Sequence, residues 1–195
     1  MIDKLHSRID WYGHIRFFFL EDSSGEGKWE SPEDSLVTYF IAPLARKLIV
    51  HNGLRTVAKE MELGSNADES DVVSAMTATM VNPFDLSEVR QALAQKNKAL
   101  ATRRARQEAD RYQMDIQHKL GEKMSFHYLL SGIGKDGALG ALKPYLPELN
   151  DTEPGVIVIK RPKGALRVAL NRGVIAHAET VSLIVSGTHK LRALA

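Results

Sequence analysis

The chain has 195 residues, 44% of them apolar, which is enough to bury a core in one domain or two small ones. It has no cysteine, which excludes disulfides, thiolate zinc sites and cysteine nucleophiles, and its net charge is only +2. The apolar runs are too short to cross a bilayer and the first residues, MIDKLHSRID, lack the pattern of a signal peptide, so we expect a cytoplasmic protein without a membrane partner. Length and composition are those expected of a bacterial or phage protein.

Helices are predicted for most of the first half of the chain. The first should run from about Glu33 to His51 and end at Asn52 and Gly53. A shorter helix should cover residues 54–63 and end at Gly64. These helices predict a mainly helical body over residues 1–150.

Residues 54–80 have the outline of a helix-turn-helix, with a second helix from Asp68. The second helix would open with Asp68, Glu69 and Asp71, whose charge is wrong for contact with phosphates. We therefore interpret these carboxylates as stabilising the positive end of the helix dipole.

The longest periodic element is a helix predicted over residues 86–123, with Asp85 and Glu88 as a capping pair. Its apolar residues form two faces rather than one, and the change falls near residues 98–102. Either the helix breaks there, or it is one rod whose two halves pack against different partners. An uncovered first face, from Leu86 to Leu100, would favour contacts between subunits.

Basic residues on this helix lie away from its second apolar face; they include Arg103, Arg104 and Arg106. The arrangement is compatible with a helix lying along nucleic-acid phosphates. It is equally compatible with a solvated face carrying ion pairs such as Arg104 with Glu108 and Arg106 with Asp110.

Three glycines, Gly132, Gly134 and Gly137, have the G-x-G-x-x-G spacing of a dinucleotide-binding turn. The 58 residues that follow lack the strand–helix alternation of a Rossmann fold. We therefore predict a glycine-rich loop between two helices, the second ended by Pro144 and Pro147, and leave ligand binding at this loop open.

From Gly155 the hydrophobic period becomes two, and short strand candidates are separated by turns such as RPKG and NRG. This pattern predicts a small antiparallel β meander over residues 151–195, packed on the helical body or forming one domain with it. The predicted fold class is therefore α+β.

The charge from Gly155 to Ala195 is unbalanced: Glu179 is the one acidic residue of this stretch, against seven Lys and Arg. A concentrated positive field suits a polyanion, although edge-strand cations also discourage aggregation. We predict phosphate contacts from the basic residues of this region, namely Lys160, Arg161, Lys163, Arg167, Arg172, Lys190 and Arg192.

No catalytic, metal or cofactor site is predicted. The seven histidines include no pair at i and i+4, and no P-loop or nucleophile elbow is present. The preferred interpretation is a non-enzymatic nucleic-acid-binding or accessory protein, with the nucleic acid's type undetermined. The alternative is a structural or assembly protein of a viral or multi-subunit complex, with the long helix at a homo-oligomer contact.

Overall fold

The computed structural model describes residues 15–19, 21–23, 32–161, 165–190 and 193. Helices and a few short strands are both present, which confirms the predicted α+β class. The chain forms two compact units: unit 1 contains Met1–Phe18 and Gly27–Pro83, and unit 2 contains Phe19–Glu26 and Phe84–Ala195.

Unit 1 begins with a continuous helical stretch. Helix α1 (Pro32–Leu36), a π-helical turn (Val37–Ile41) and helix α2 (Ala42–Asn52) follow one another without interruption. The stretch ends at Gly53, whose φ is +82° and whose N–H donates to the Ile49 carbonyl at 2.8 Å. The predicted first helix is confirmed, with a π turn that its sequence pattern does not indicate.

Helices α3 (Leu54–Glu60) and α4 (Glu69–Met80) complete the helical part of unit 1. The start of α4 carries a reciprocal capping box. The Asp71 N–H donates to Asp68 Oδ1 at 3.1 Å, and the Asp68 N–H donates to Asp71 Oδ2 at 2.9 Å. These carboxylates therefore stabilise the start of the helix, as the sequence predicted.

The core of unit 1 is formed by apolar residues of these helices. Strand β1 (Phe17–Phe18) pairs in parallel with strand β3 (Val81–Asn82), which directly follows α4. The Phe17 ring meets the Phe40 ring edge-on at 5.4 Å. The largest fully buried side chains of this core are Ile41, Leu44, Leu48, Val57, Val72, Met76 and Met80.

The long helix predicted for unit 2 is two helices, α5 (Ser87–Ala94) and α6 (Lys98–Leu120). Lys96 between them has a φ of +58°, and Asn97 caps α6 by accepting the Leu100 N–H at 3.0 Å. The helical pattern therefore breaks slightly earlier than predicted.

Both apolar faces of the two helices are largely covered. Leu86 and Val89 of the first face are 1% exposed, and Tyr112 and Ile116 of the second are fully buried. The observation that would favour a subunit contact on the first face is therefore absent from the part of the chain that the structure describes.

Unit 2 contains the predicted C-terminal hairpin. Strands β5 (Val156–Lys160) and β6 (Leu166–Leu170) pair antiparallel, with Val158 opposite Val168. Strand β2 (Glu21–Ser23) pairs antiparallel with the other side of β6. The three strands form one sheet in the order β2–β6–β5.

The rest of the predicted meander does not form, although one more of its predicted strands is present. Helix α7 (Arg172–Ala176) lies where the meander pattern predicts the strand after the NRG turn, and Asn171 caps this helix by accepting the Val174 N–H at 3.1 Å. Strand β7 (Val181–Ile184) pairs in parallel with β4 (Leu129–Gly132) rather than with the hairpin. Over the described residues, no helix is both long and apolar enough to span a membrane.

Candidate functional site: a basic pocket in unit 2

Unit 2 contains a cavity of about 360 Å³. Its charged lining residues come from two places: Asp136 and Lys143 from the loop after β4, and Arg161 and Arg167 from the β5–β6 hairpin. Its small lining residues are Ala138, Gly140 and Ala165. Its volume lies within the range of small-molecule sites, and its convergent charged groups make it a candidate site.

The loop after β4 is held in a tight conformation by its own backbone. The Gly134 N–H donates to the Ala138 carbonyl at 2.8 Å, and the Gly137 N–H donates to the Gly134 carbonyl at 3.0 Å. Gly137 has a φ of +76°, and a Cβ added there would lie 3.0 Å from Pro144 Cγ. Both the backbone conformation and the space at this position therefore favour glycine.

An ion pair joins the two ends of this loop. Lys143 Nζ lies 2.6 Å from Asp136 Oδ2. The hydrogen bond from Lys143 holds the pKa of Asp136 below its ordinary value, so the carboxylate is ionised at neutral pH.

The two arginines lie at the end of the hairpin. The Arg161 N–H donates to the Ala165 carbonyl at 2.8 Å, and Arg167 lies on β6 opposite Ile159 of β5. The Arg161 Nη2 donates to the Ala141 carbonyl at 2.6 Å, which orients the guanidinium group. Its Nε is buried and has no hydrogen-bond partner among the described residues.

The structure places the predicted C-terminal cations in different surroundings. Arg161 and Arg167 line the pocket, whereas Lys160 is exposed at the end of β5. Arg172 Nη1 donates to the Leu149 carbonyl at 3.2 Å, and Lys190 lies in a 3₁₀ turn (Thr188–Lys190). Two further predicted site residues, Lys163 and Arg192, lie outside the described residues.

The three predicted arginines of the long helix lie on α6. Arg103 and Arg106 are exposed. Arg104 pairs with Glu88 of α5 at 3.0 Å rather than with Glu108. Glu108 is instead buried and bonded to Arg111, so the ion pair expected from helical spacing alone does not form.

Sequence reasoning missed Lys143 and Asp136. The spacing of Gly132, Gly134 and Gly137 could have drawn attention to Asp136, which lies inside that motif, but Lys143 lies outside it. The prediction of a loop between two helices was wrong, since strand β4 precedes the loop and a short 3₁₀ turn, Pro147–Asn150, follows it.

A second cavity, of about 590 Å³, lies in unit 1 beside α4. The described residues that line it include no Lys or Arg, and its carboxylate, Asp71, belongs to the capping box. No cluster of His, Cys, Asp and Glu able to hold a metal ion occurs among the described residues. The pocket in unit 2 is therefore the stronger candidate site.

Comparison with known proteins supplies one match. The family model described as glucosamine-6-phosphate isomerases/6-phosphogluconolactonase matches residues 65–195, which include every residue that lines the unit 2 pocket. No curated protein and no solved structure shows a significant match.

This match overturns the functional prediction made from charge. A non-enzymatic nucleic-acid-binding protein is wrong, and so is nucleic acid as the partner, because the matching family consists of sugar-phosphate enzymes. The same match contradicts the alternative of a structural or assembly protein. An excess of cations favours an anionic ligand in general, but charge counting cannot distinguish a polyanion from one phosphate group.

Proposed function

Because the chain belongs to the glucosamine-6-phosphate isomerase/6-phosphogluconolactonase family, we propose that it is an enzyme of sugar phosphates and that unit 2 binds its substrate. Both compounds in the family's description are sugars that carry a phosphate on carbon 6. A site for either must therefore hold a phosphomonoester and present the sugar to a group that moves protons.

The basic pocket supplies the phosphate site in this proposal, and its lining charges are the observation that carries it. Arg161, Arg167 and Lys143 are three cations against the single carboxylate of Asp136 among the described lining residues. A phosphomonoester carries a charge of about −1.5 to −2 at pH 7. The net charge of the pocket is therefore complementary to that of the phosphate.

Arg161 offers a donor that nothing else in the described chain uses. A buried donor without an acceptor costs free energy, and a phosphate oxygen in the pocket would supply the acceptor. The bond from Nη2 to the Ala141 carbonyl fixes the plane of the guanidinium group before any ligand arrives. Less side-chain entropy is then lost on binding.

Asp136 is the residue to which we assign proton transfer, since it is the one carboxylate lining the pocket in the described part of the chain. While it is paired with Lys143 its pKa is low, and it is therefore a weak base. A phosphate that attracts Lys143 weakens this pair and raises the pKa of Asp136 towards its ordinary value. Substrate binding would thus make the carboxylate a better base.

The test is calorimetric binding of 6-phosphogluconate and glucosamine 6-phosphate, together with turnover assays on 6-phosphogluconolactone and glucosamine 6-phosphate. We expect Arg161→Met to weaken binding by about 10- to 100-fold, the value of a charge-assisted hydrogen bond. The matched control is Lys160→Met, which removes one positive charge from the neighbouring residue without altering the pocket lining.

Equal binding by the two variants would show that general charge, not the pocket, attracts the ligand. If the native chain bound neither sugar phosphate at millimolar concentration, the proposed function would be wrong. The turnover assays distinguish the two reactions named for the family.

A further inference from the structure

A turn at the edge of the basic pocket carries an aromatic residue in an unfavourable position. Lys143, Pro144, Tyr145 and Leu146 form a turn closed by the Leu146 N–H, which donates to the Lys143 carbonyl at 3.3 Å. Proline at the second position and a positive φ at the third are the features of a type II turn, and Tyr145 has a φ of +70°. Glycine or asparagine is the usual residue there.

The described part of the chain does not account for this tyrosine. Its side chain is 100% exposed, and it makes no hydrogen bond or ring contact with any described residue. Burial and packing of the side chain therefore do not offset the backbone strain, which glycine at this position would avoid. Strained residues of this kind occur preferentially where a ligand binds.

The position of Tyr145 indicates which ligand its side chain contacts. Lys143, two residues earlier, lines the pocket and is paired with Asp136. Because consecutive Cα atoms are 3.8 Å apart, the Cα atoms of Tyr145 and Lys143 are separated by at most about 7.6 Å. The tyrosine side chain can therefore reach a molecule that projects from the pocket.

We propose that Tyr145 is a specificity-determining residue that contacts the sugar of the substrate while the pocket holds its phosphate. The proposal rests on the function proposed above. A phosphorylated sugar presents carbon-bound hydrogens as well as hydroxyl groups, and a tyrosine ring offers an apolar face and a polar tip to match them. Tyr145 thus favours a sugar phosphate over inorganic phosphate, because inorganic phosphate has no carbon-bound hydrogens that the face of the ring could contact.

The experiment compares the Kd of inorganic phosphate with that of 6-phosphogluconate for the native chain, Tyr145→Gly and Tyr145→Phe. Tyr145→Gly should reduce the preference for the sugar phosphate about tenfold and leave the Kd of inorganic phosphate within about twofold. Tyr145→Phe should keep most of the preference. The matched control, Tyr128→Ala, removes another exposed tyrosine of unit 2 and should keep all of it.

Loss of folding does not obscure the result, because glycine relieves the positive φ and Tyr145→Gly should melt at the native temperature or above it. An unchanged preference in Tyr145→Gly would overturn the role of Tyr145 and leave the phosphate site intact. A native chain that binds inorganic phosphate and 6-phosphogluconate equally well would also overturn the role of Tyr145 and leave the phosphate site intact. A native chain that binds neither ligand would refute the proposed function, and the role of Tyr145 with it.

Discussion

The hydroxyl group of Tyr112 is bonded to both backbone polar groups of Phe19, which lies 93 positions away in the chain. The Phe19 N–H donates to Tyr112 Oη at 2.6 Å, and Oη donates to the Phe19 carbonyl at 3.2 Å. The ring is fully buried and stacks on Phe84 with their centroids 3.7 Å apart. One side chain on α6 therefore ties the N-terminal segment of unit 2 to the rest of that unit.

Tyr112 predicts a loss of stability at alkaline pH. Burial raises the pKa of Tyr112 above its ordinary value of 10.0, so the unfolded chain ionises before the folded one. The contribution of Tyr112 to the free energy of unfolding is therefore fully present below about pH 10. Above that pH the free energy of unfolding falls by about 1.4 kcal/mol per pH unit. Tyr112→Phe should lack this slope.

Denaturant unfolding between pH 8 and 11 measures the effect. At neutral pH Tyr112→Phe should be less stable by about 1–3 kcal/mol, because the Phe19 N–H loses its acceptor. Parallel pH profiles for the two proteins would contradict the assignment to Tyr112.

Removing the Glu108 side chain should lower the free energy of unfolding more than removing an exposed ion-pair partner. Its carboxylate is 8% exposed and accepts from the Asp85 N–H at 2.6 Å and from Arg111 Nη2 and Nε at 2.6 and 2.8 Å. Glu108→Ala should lower the free energy of unfolding by about 1–3 kcal/mol, since it removes the acceptor of three hydrogen bonds from partly buried donors. Glu88→Ala removes the exposed pair with Arg104 and should cost no more than about 1 kcal/mol. Similar losses in the two variants, measured by urea unfolding, would refute the distinction.

Asn171 is a buried polar residue whose side chain satisfies three backbone groups. Oδ1 accepts from the Gly155 and Val174 N–H groups at 3.1 Å each, and Nδ2 donates to the Glu153 carbonyl at 2.6 Å. Asn171→Ala should cost about 2–4 kcal/mol. Asn97→Ala removes one exposed cap in the same unit and should cost only about 1 kcal/mol. Thermal unfolding measures the loss of stability in both variants. A smaller loss in Asn171→Ala than in Asn97→Ala would contradict the prediction.

Gly173 of α7 leaves no room for a side chain. A Cβ there would lie 2.5 Å from the Thr152 carbonyl oxygen, so the backbone would have to move. Gly173→Ala should destabilise unit 2 by about 1–3 kcal/mol. In Gly132→Ala the nearest non-neighbouring atom, the Ile184 carbonyl oxygen, is 3.6 Å from the new Cβ, and this variant should be close to native. Equal melting temperatures for the two variants would show that the chain around Thr152 yields easily.

Local sequence patterns predicted the local structure. The acidic start of α4, the end of α2 at Gly53 and the β5–β6 hairpin each depend on residues close together in the chain. The parallel pairing of β7 with β4 does not, because alternation in VSLIV indicates a strand but not its partner. The break before α6 depends on one residue, Lys96, whose positive φ its residue type does not predict.

The candidate site was predicted only in part for a similar reason. Charge predicts Arg161 and Arg167 as site residues, but a charge count does not show that they line one cavity with Lys143 and Asp136. The four residues converge because the hairpin and the glycine loop meet in three dimensions. The proposed function rests on that convergence and on the family match, whereas the charge excess alone led to the prediction of nucleic acid, which the match contradicts.

The pairing of β2 with β6 has a consequence for the order in which the protein forms. Asp22 lies opposite Val168, so the central strand of this sheet receives its partner from near the beginning of the chain. All the residues of unit 1 after Phe18 are therefore synthesised between two parts of unit 2. Such distant pairings close large loops and form late.

Unit 1 can collapse on its own helices while the ribosome is still making α6. Strand β2 must wait, unpaired, until the hairpin emerges. This interval is when the nascent chain is most exposed to wrong strand pairing and aggregation.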